Sequence, residues 1–125
     1  MCRICLSYLF SEFGRRVKDN GSGTDHGSAG VSFVVGPRVK GGMYGEYPDT
    51  DAGSLDQGDL VPNQDFRGVY STIVQEWLGL DPVPIVNGQF EQPQFVEKVA
   101  GSWAMSTWPT GETAASRSTT LTAAS

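Results

Sequence analysis

No apolar run in this sequence approaches the roughly 20 residues that span a bilayer, so a transmembrane helix is not expected. Basic residues are also scarce. Against 14 Asp and Glu stand only 9 Lys and Arg, a formal charge of -5, which leaves no basic footprint for duplex nucleic acid or anionic lipid. A small anionic substrate held by a metal or by one arginine remains compatible with that balance. Cysteine occurs twice, and Cys2 and Cys5 form a C-x-x-C, but no second pair and no helix start follows them. Residues three apart on a strand point to opposite faces, so the two read as small apolar residues rather than as a redox or metal pair. The opening "MCRICLSYLF" runs into "SEFGRR" without a small-residue cleavage site and is expected to be a strand, not a signal. There is no internal repeat.

With 125 residues and 38% hydrophobic composition, the chain has material for one modest domain or part of one, burying about two-thirds of its unfolded surface. Arg3 to Phe10 is apolar and aromatic with little alternation, which predicts a buried strand. "VSFVV" at Val31 to Val35 is β-branched and bounded by Gly30 and Gly36, which predicts a second. Between them, "SEFGRRVK" is read as a short helical turn started by Ser11. From Gly36 to Pro62, glycine, proline and aspartate recur too often for regular structure to run far, so a long loop is expected. In "NQDFRGVYSTIVQEWLG" the residues Phe66, Val69, Tyr70, Ile73 and Trp77 form one helical face, with Asn63 or Asp65 as cap and Gly79 as stop. The prolines of "LDPVPIVNGQF" argue against a helix there. Beyond Trp108, Ser, Thr and Ala without apolar periodicity predict disorder.

The glycine-rich loop concentrates the chemistry. "GSGTDHG" is compatible with an anion cradle of backbone amides but lacks the Lys-Ser/Thr of a P-loop. "NGSGTD" approximates one calcium nonapeptide repeat, but its neighbour nine residues on is "AGVSFV", and a single repeat cannot stack. "NGS" is formally a glycosylation acceptor, a pattern too short to inform. The fourth reading is a metal site: Asp25 and His26 are adjacent and flanked by Gly23 and Gly27, and Glu12 leaves the end of the preceding strand, where open α/β sheets place ligands. One histidine and scattered acids supply part of a three- or four-ligand site, not a whole one. Spacing alone favours a surface or hydrogen-bonding role for His26, and a solvated or ion-paired role for Arg15 and Arg16.

Several separated stretches, in order, resemble a known family: Ser11-Glu12-Phe13-Gly14-Arg15, Asn20-Gly21-Ser22, Gly23-Thr24-Asp25-His26-Gly27, the apolar strand, Val39-Lys40-Gly41-Gly42, "YGEYP" at Tyr44 to Pro48, "QGDL" at Gln57 to Leu60, and "DFRGVYSTIVQEWLGLDP" at Asp65 to Pro82. Together they are similar to domain of unknown function family 1501, bacterial sulfatase-like proteins of the alkaline phosphatase superfamily, over roughly Ser11 to Phe95. The resemblance implies an α/β fold, with this chain forming the C-terminal portion of an alkaline-phosphatase-like sheet-and-helix domain, incomplete and with long loops. Residues 1–98 are then a partial sulfatase-like domain and 99–125 a Ser/Thr/Ala-rich tail, expected to be disordered.

The resemblance further implies one or two divalent metals, Zn, Mn or Ca, and hydrolysis or transfer of phosphate or sulfate esters by a Ser or Thr nucleophile. His26, Asp25 and Glu12 become candidate metal ligands and Arg15 a candidate contact for the substrate anion. His26 matches a late metal-binding histidine with Glu12 as its acidic companion; in an alternative alignment Asp25-His26 is itself the ligand pair. The nucleophile and remaining ligands lie upstream in such proteins and are not identifiable here, so the chain is expected to be inactive alone. An exported location is implied too, although "RR" lacks the apolar segment of a twin-arginine signal. A contrasting expectation is a non-catalytic binding module that docks through the Gly36 to Pro62 loop and the Phe66, Tyr70 and Trp77 face.

Overall fold

Alternation of side chains organises the longest strand of the computed structural model, which describes residues 5–97 and the strand Arg117–Ala124. In that strand, Ala29–Gly36, Ser32 and Val34 are buried on one face while Val31 and Phe33 look outward. The expected strand is therefore present, but it is buried on one face only. In chain order the elements are β1 (Ser7–Leu9), β2 (Gly14–Asp19), β3 (Thr24–Gly27), β4 (Ala29–Gly36), β5 (Gly42–Tyr44), α1 (Phe66–Thr72), α2 (Val83–Val86) and β6 (Arg117–Ala124). A π-helical turn, Ile73–Trp77, continues α1.

The main sheet has the order β1-β4-β6-β5. β1 and β6 both lie antiparallel to β4, and only the β5–β6 pair is parallel. β1 is shorter and more open than the buried strand predicted over Arg3 to Phe10: it spans three residues, and Leu9 and Phe10 are exposed at the sheet edge. Cys2 and Arg3 lie outside the described residues, and among those described no cysteine is free. β6 is a strand where composition predicts disorder. Its backbone pairs with β4 from Ala29↔Ala124 to Gly36↔Arg117, and its Thr-rich sequence suits a pleated ladder without apolar periodicity. The rest of the expected tail, 99–116 and Ser125, lies outside the described residues.

The predicted helical turn over Ser11 to Lys18 is instead β2, paired antiparallel with β3 as a separate two-stranded sheet. Gly14 explains much of this: a Cβ there would overlap the Ala29 carbonyl, so the chain enters the hairpin by close backbone approach rather than by coiling. The long loop after Gly36 holds β5 and a tight turn in which Asp56 and Asp59 exchange backbone hydrogen bonds at 3.0 and 2.8 Å. α2 forms despite two prolines, because Pro82 caps it and Pro84 sits in its first turn, where a missing N–H costs nothing.

The amphipathic helix falls where its periodicity predicts. Asp65 caps α1 by accepting from the Arg67 amide at 2.8 Å, and Gly79, at φ 70°, ends the helical run. Val69 of α1 packs with Val34, Val39, Phe95 and Val96 into a sealed core, flanked by Leu6, Tyr8, Tyr44, Ile73 and Trp77. Thr72 Oγ1 donates from inside that core, lying 3.0 Å from the Pro93 carbonyl and 3.1 Å from that of Gly68. The architecture is a small mixed α/β unit with short, mainly antiparallel sheets.

Candidate functional site

In chain order the hairpin β2–β3 falls between β1 and β4, which pair directly with each other, and it forms a separate two-stranded sheet that carries the polar residues of the loop. Its turn is built by Asn20 to Gly23. The Asn20 amide donates to the Gly23 carbonyl at 2.8 Å, Asp19 Oδ1 accepts from the Gly21 amide at 2.6 Å, and Gly21 takes a φ of 95° that favours glycine. "NGSG" is therefore hairpin-turn chemistry.

Asp25 and His26 are successive residues of β3, so the pleat directs their side chains to opposite faces. Asp25 Oδ1 accepts from Asn20 Nδ2 at 2.7 Å, which ties the carboxylate to the turn. His26 stacks on Phe13, ring centroids 3.5 Å apart and planes 8° from parallel. Arg15 is the cross-strand partner of His26; its Nη1 donates to the Thr24 carbonyl at 2.9 Å and its guanidinium lies 5.3 Å from the Phe13 ring centre. Glu12 is exposed on the segment before β2.

The three candidate ligands do not assemble a metal site by themselves. Among the described residues no group of three or more His, Cys, Asp or Glu side chains could hold a metal ion. Opposite orientation separates Asp25 from His26, and the latter's ring is engaged in stacking. Arg15, the candidate anion contact, is exposed but braces its own hairpin.

A cleft of about 260 Å³ lies beside the hairpin, lined by Arg16, Ser28, Asp56, Gln57 and Asp59 among others. Asp59 is the most connected acid there. Desolvation works to raise its pKa, but hydrogen bonds from the Ser28 amide and hydroxyl and the Leu60 amide, together with the Arg16 charge, hold it below the ordinary carboxylate value.

The model of a family described as "Protein of unknown function (DUF1501)" matches residues 5–97. The chain belongs to this family. No curated protein and no solved structure matches it. In this DUF1501 chain the elements covered by the family match run from before β1 through the core residues Phe95 and Val96, so the hairpin, the Asp56–Asp59 turn and the helix belong to one shared unit. Sequence reasoning missed Ser28 and Asp59 as partners. Their only sequence signals are the "HGS" and "QGDL" stretches, which lie about thirty residues apart and carry no mutual spacing rule.

Proposed function

We propose that this chain is the C-terminal part of a sulfatase-like metallohydrolase domain of the alkaline phosphatase superfamily, acting on phosphate or sulfate esters and inactive alone. The motif resemblance supplies the reaction class. The observation that carries the rest is the outer face of the main sheet, which the described residues leave uncovered. Leu9, Phe33 and Met43 fall in one lateral row, because Leu9 pairs with Phe33 while Phe33 and Met43 both pair with Thr120. They are 55%, 41% and 65% exposed, and Val31 on the same face is 51% exposed. A mainly antiparallel sheet commonly leaves one face to water, but that face is then polar, whereas here the face opposite α1 carries this apolar row. A second layer from a larger domain accounts for the apolar row.

In such a domain the hairpin contributes its polar side chains to a site completed elsewhere. Divalent metal, when bound, polarises the ester; this chain's described residues contribute at most individual ligands. The purified chain, assayed with aryl phosphate and aryl sulfate esters in the presence of Zn, Mn or Ca ions, is expected to show no turnover above the metal blank. Turnover that disappears in His26→Ala overturns the incomplete-site reading.

The alternative, a non-catalytic docking module, draws on the helix face. Phe66 is 36% exposed, while Tyr70 is half-buried against Tyr8, Phe10 and Phe66. Saturable binding of a glycan array that is lost in Phe66→Ser, with the fold intact, favours this alternative.

A further inference from the structure

We infer that Asp59 is a positioning residue, whose carboxylate clamps the joint between the hairpin carrying Asp25 and His26 and the main sheet. A two-stranded hairpin is marginal in water, and this one shares no ladder with the main sheet. Its orientation has to be set by contacts at its base. Ser28 is the single residue between β3 and β4, and therefore the joint itself. Asp59 Oδ2 accepts from both the amide and the hydroxyl of Ser28, each at 3.0 Å, while Oδ1 accepts from the Leu60 amide at 2.8 Å.

The other strand is held by the same turn. The Lys18 amide donates to the Gly58 carbonyl at 3.2 Å, and Arg16 Nη2 donates to the Gln57 carbonyl. Gly27 leaves the room: a Cβ there would stand 2.5 Å from Asp59 Oδ1 and 2.9 Å from the Arg15 carbonyl carbon. Every group facing the carboxylate in these contacts is a donor, so an ionised acid satisfies them all and an amide cannot. The site so positioned is the one the proposed function invokes, and the inference rests on that reading for its functional meaning; the positioning itself is read from backbone protection, without turnover.

The test is amide hydrogen exchange by NMR on the full chain. In Asp59→Asn the protection of the Ser28 and Lys18 amides should fall about tenfold or more, with core amides of α1 unchanged. Ser28→Ala, which removes one bond and keeps the other, should give a smaller fall of about threefold at Lys18, restored by Ser28→Thr. A carboxylate clamp also predicts a pH step. Because the folded pKa of Asp59 is depressed, the clamp is present above the ordinary value of 3.8 and is lost as pH falls through the lower folded value. The charged groups around it are Arg16, Lys18 and Asp56, and the step should vanish in Asp59→Asn. Unchanged hairpin protection in Asp59→Asn, or in Ser28→Ala if the former unfolds globally, overturns the inference, as does a pH step that persists in Asp59→Asn.

Discussion

Val34 and Val31 stand three residues apart on one strand in opposite surroundings. Val34 is fully buried beneath the helix, whereas Val31 is half-exposed on the bare face. The inner face shows how the chain stabilises itself: Val34, Val39, Val69, Phe95 and Val96 exclude water from one small core. The outer face shows surface that the described residues leave uncovered, with Leu9, Phe33 and Met43 in a row. The hairpin is a third kind of region, held by hydrogen bonds to a turn rather than by apolar burial. Core burial therefore sets the stability of the unit, and the polar contacts set where its candidate site points.

Mutations on the two faces should separate sharply. Phe95→Ala, at a fully buried position, is expected to cost about 3–5 kcal/mol in chemical denaturation, a large part of the stability of so small a unit. Thr72→Val keeps the shape but removes one of the two donors to the Pro93 carbonyl, which still accepts from the Phe95 amide at 3.0 Å; a loss of about 1 kcal/mol is expected from the same measurement. Asp65→Ala removes the α1 cap and should cost about 1 kcal/mol, visible in thermal melts followed by helical circular dichroism. Phe33→Thr on the outer face should change stability by no more than about 0.5 kcal/mol while lowering the binding of a hydrophobic dye. A loss above about 2 kcal/mol for Phe33→Thr would mean that the two faces are equivalent.

The sequence made some of these regions legible and hid others for definable reasons. The helix is readable because five apolar residues repeat at its period and Asp65 and Gly79 mark its ends. β4 is readable as a strand from its β-branched run, but the uninterrupted apolar composition conceals that only one face is covered. "GRRVKD" hides β2, since charged residues on an exposed ribbon lack the alternation that announces a half-buried strand. α2 was obscured by prolines that sit at its tolerant first turn, and β6 by a Ser/Thr/Ala composition whose order comes from pairing with β4.

The candidate site was legible as a place but not as a geometry. Asp25, His26 and Arg15 all lie on the β2–β3 hairpin between the two strands. Their adjacency in sequence suggested convergence, and the pleat of β3 instead separates Asp25 from His26. The Ser28–Asp59 contact could not be anticipated, because it joins residues 31 apart through a turn that has no periodic signal. Family membership was legible for the opposite reason: several short motifs in order are specific even when no single one is.

The two faces of β4 can be distinguished by the accessibility of its methyl groups to a soluble paramagnetic probe, read by NMR on the intact chain. Rapid relaxation enhancement is expected at the Val31 methyls, matching that at Met43, with the Val34 methyls protected. Equal protection of Val31 and Val34 would show that the outer face is already covered in this chain and would contradict the reading of the chain as one layer of a larger domain.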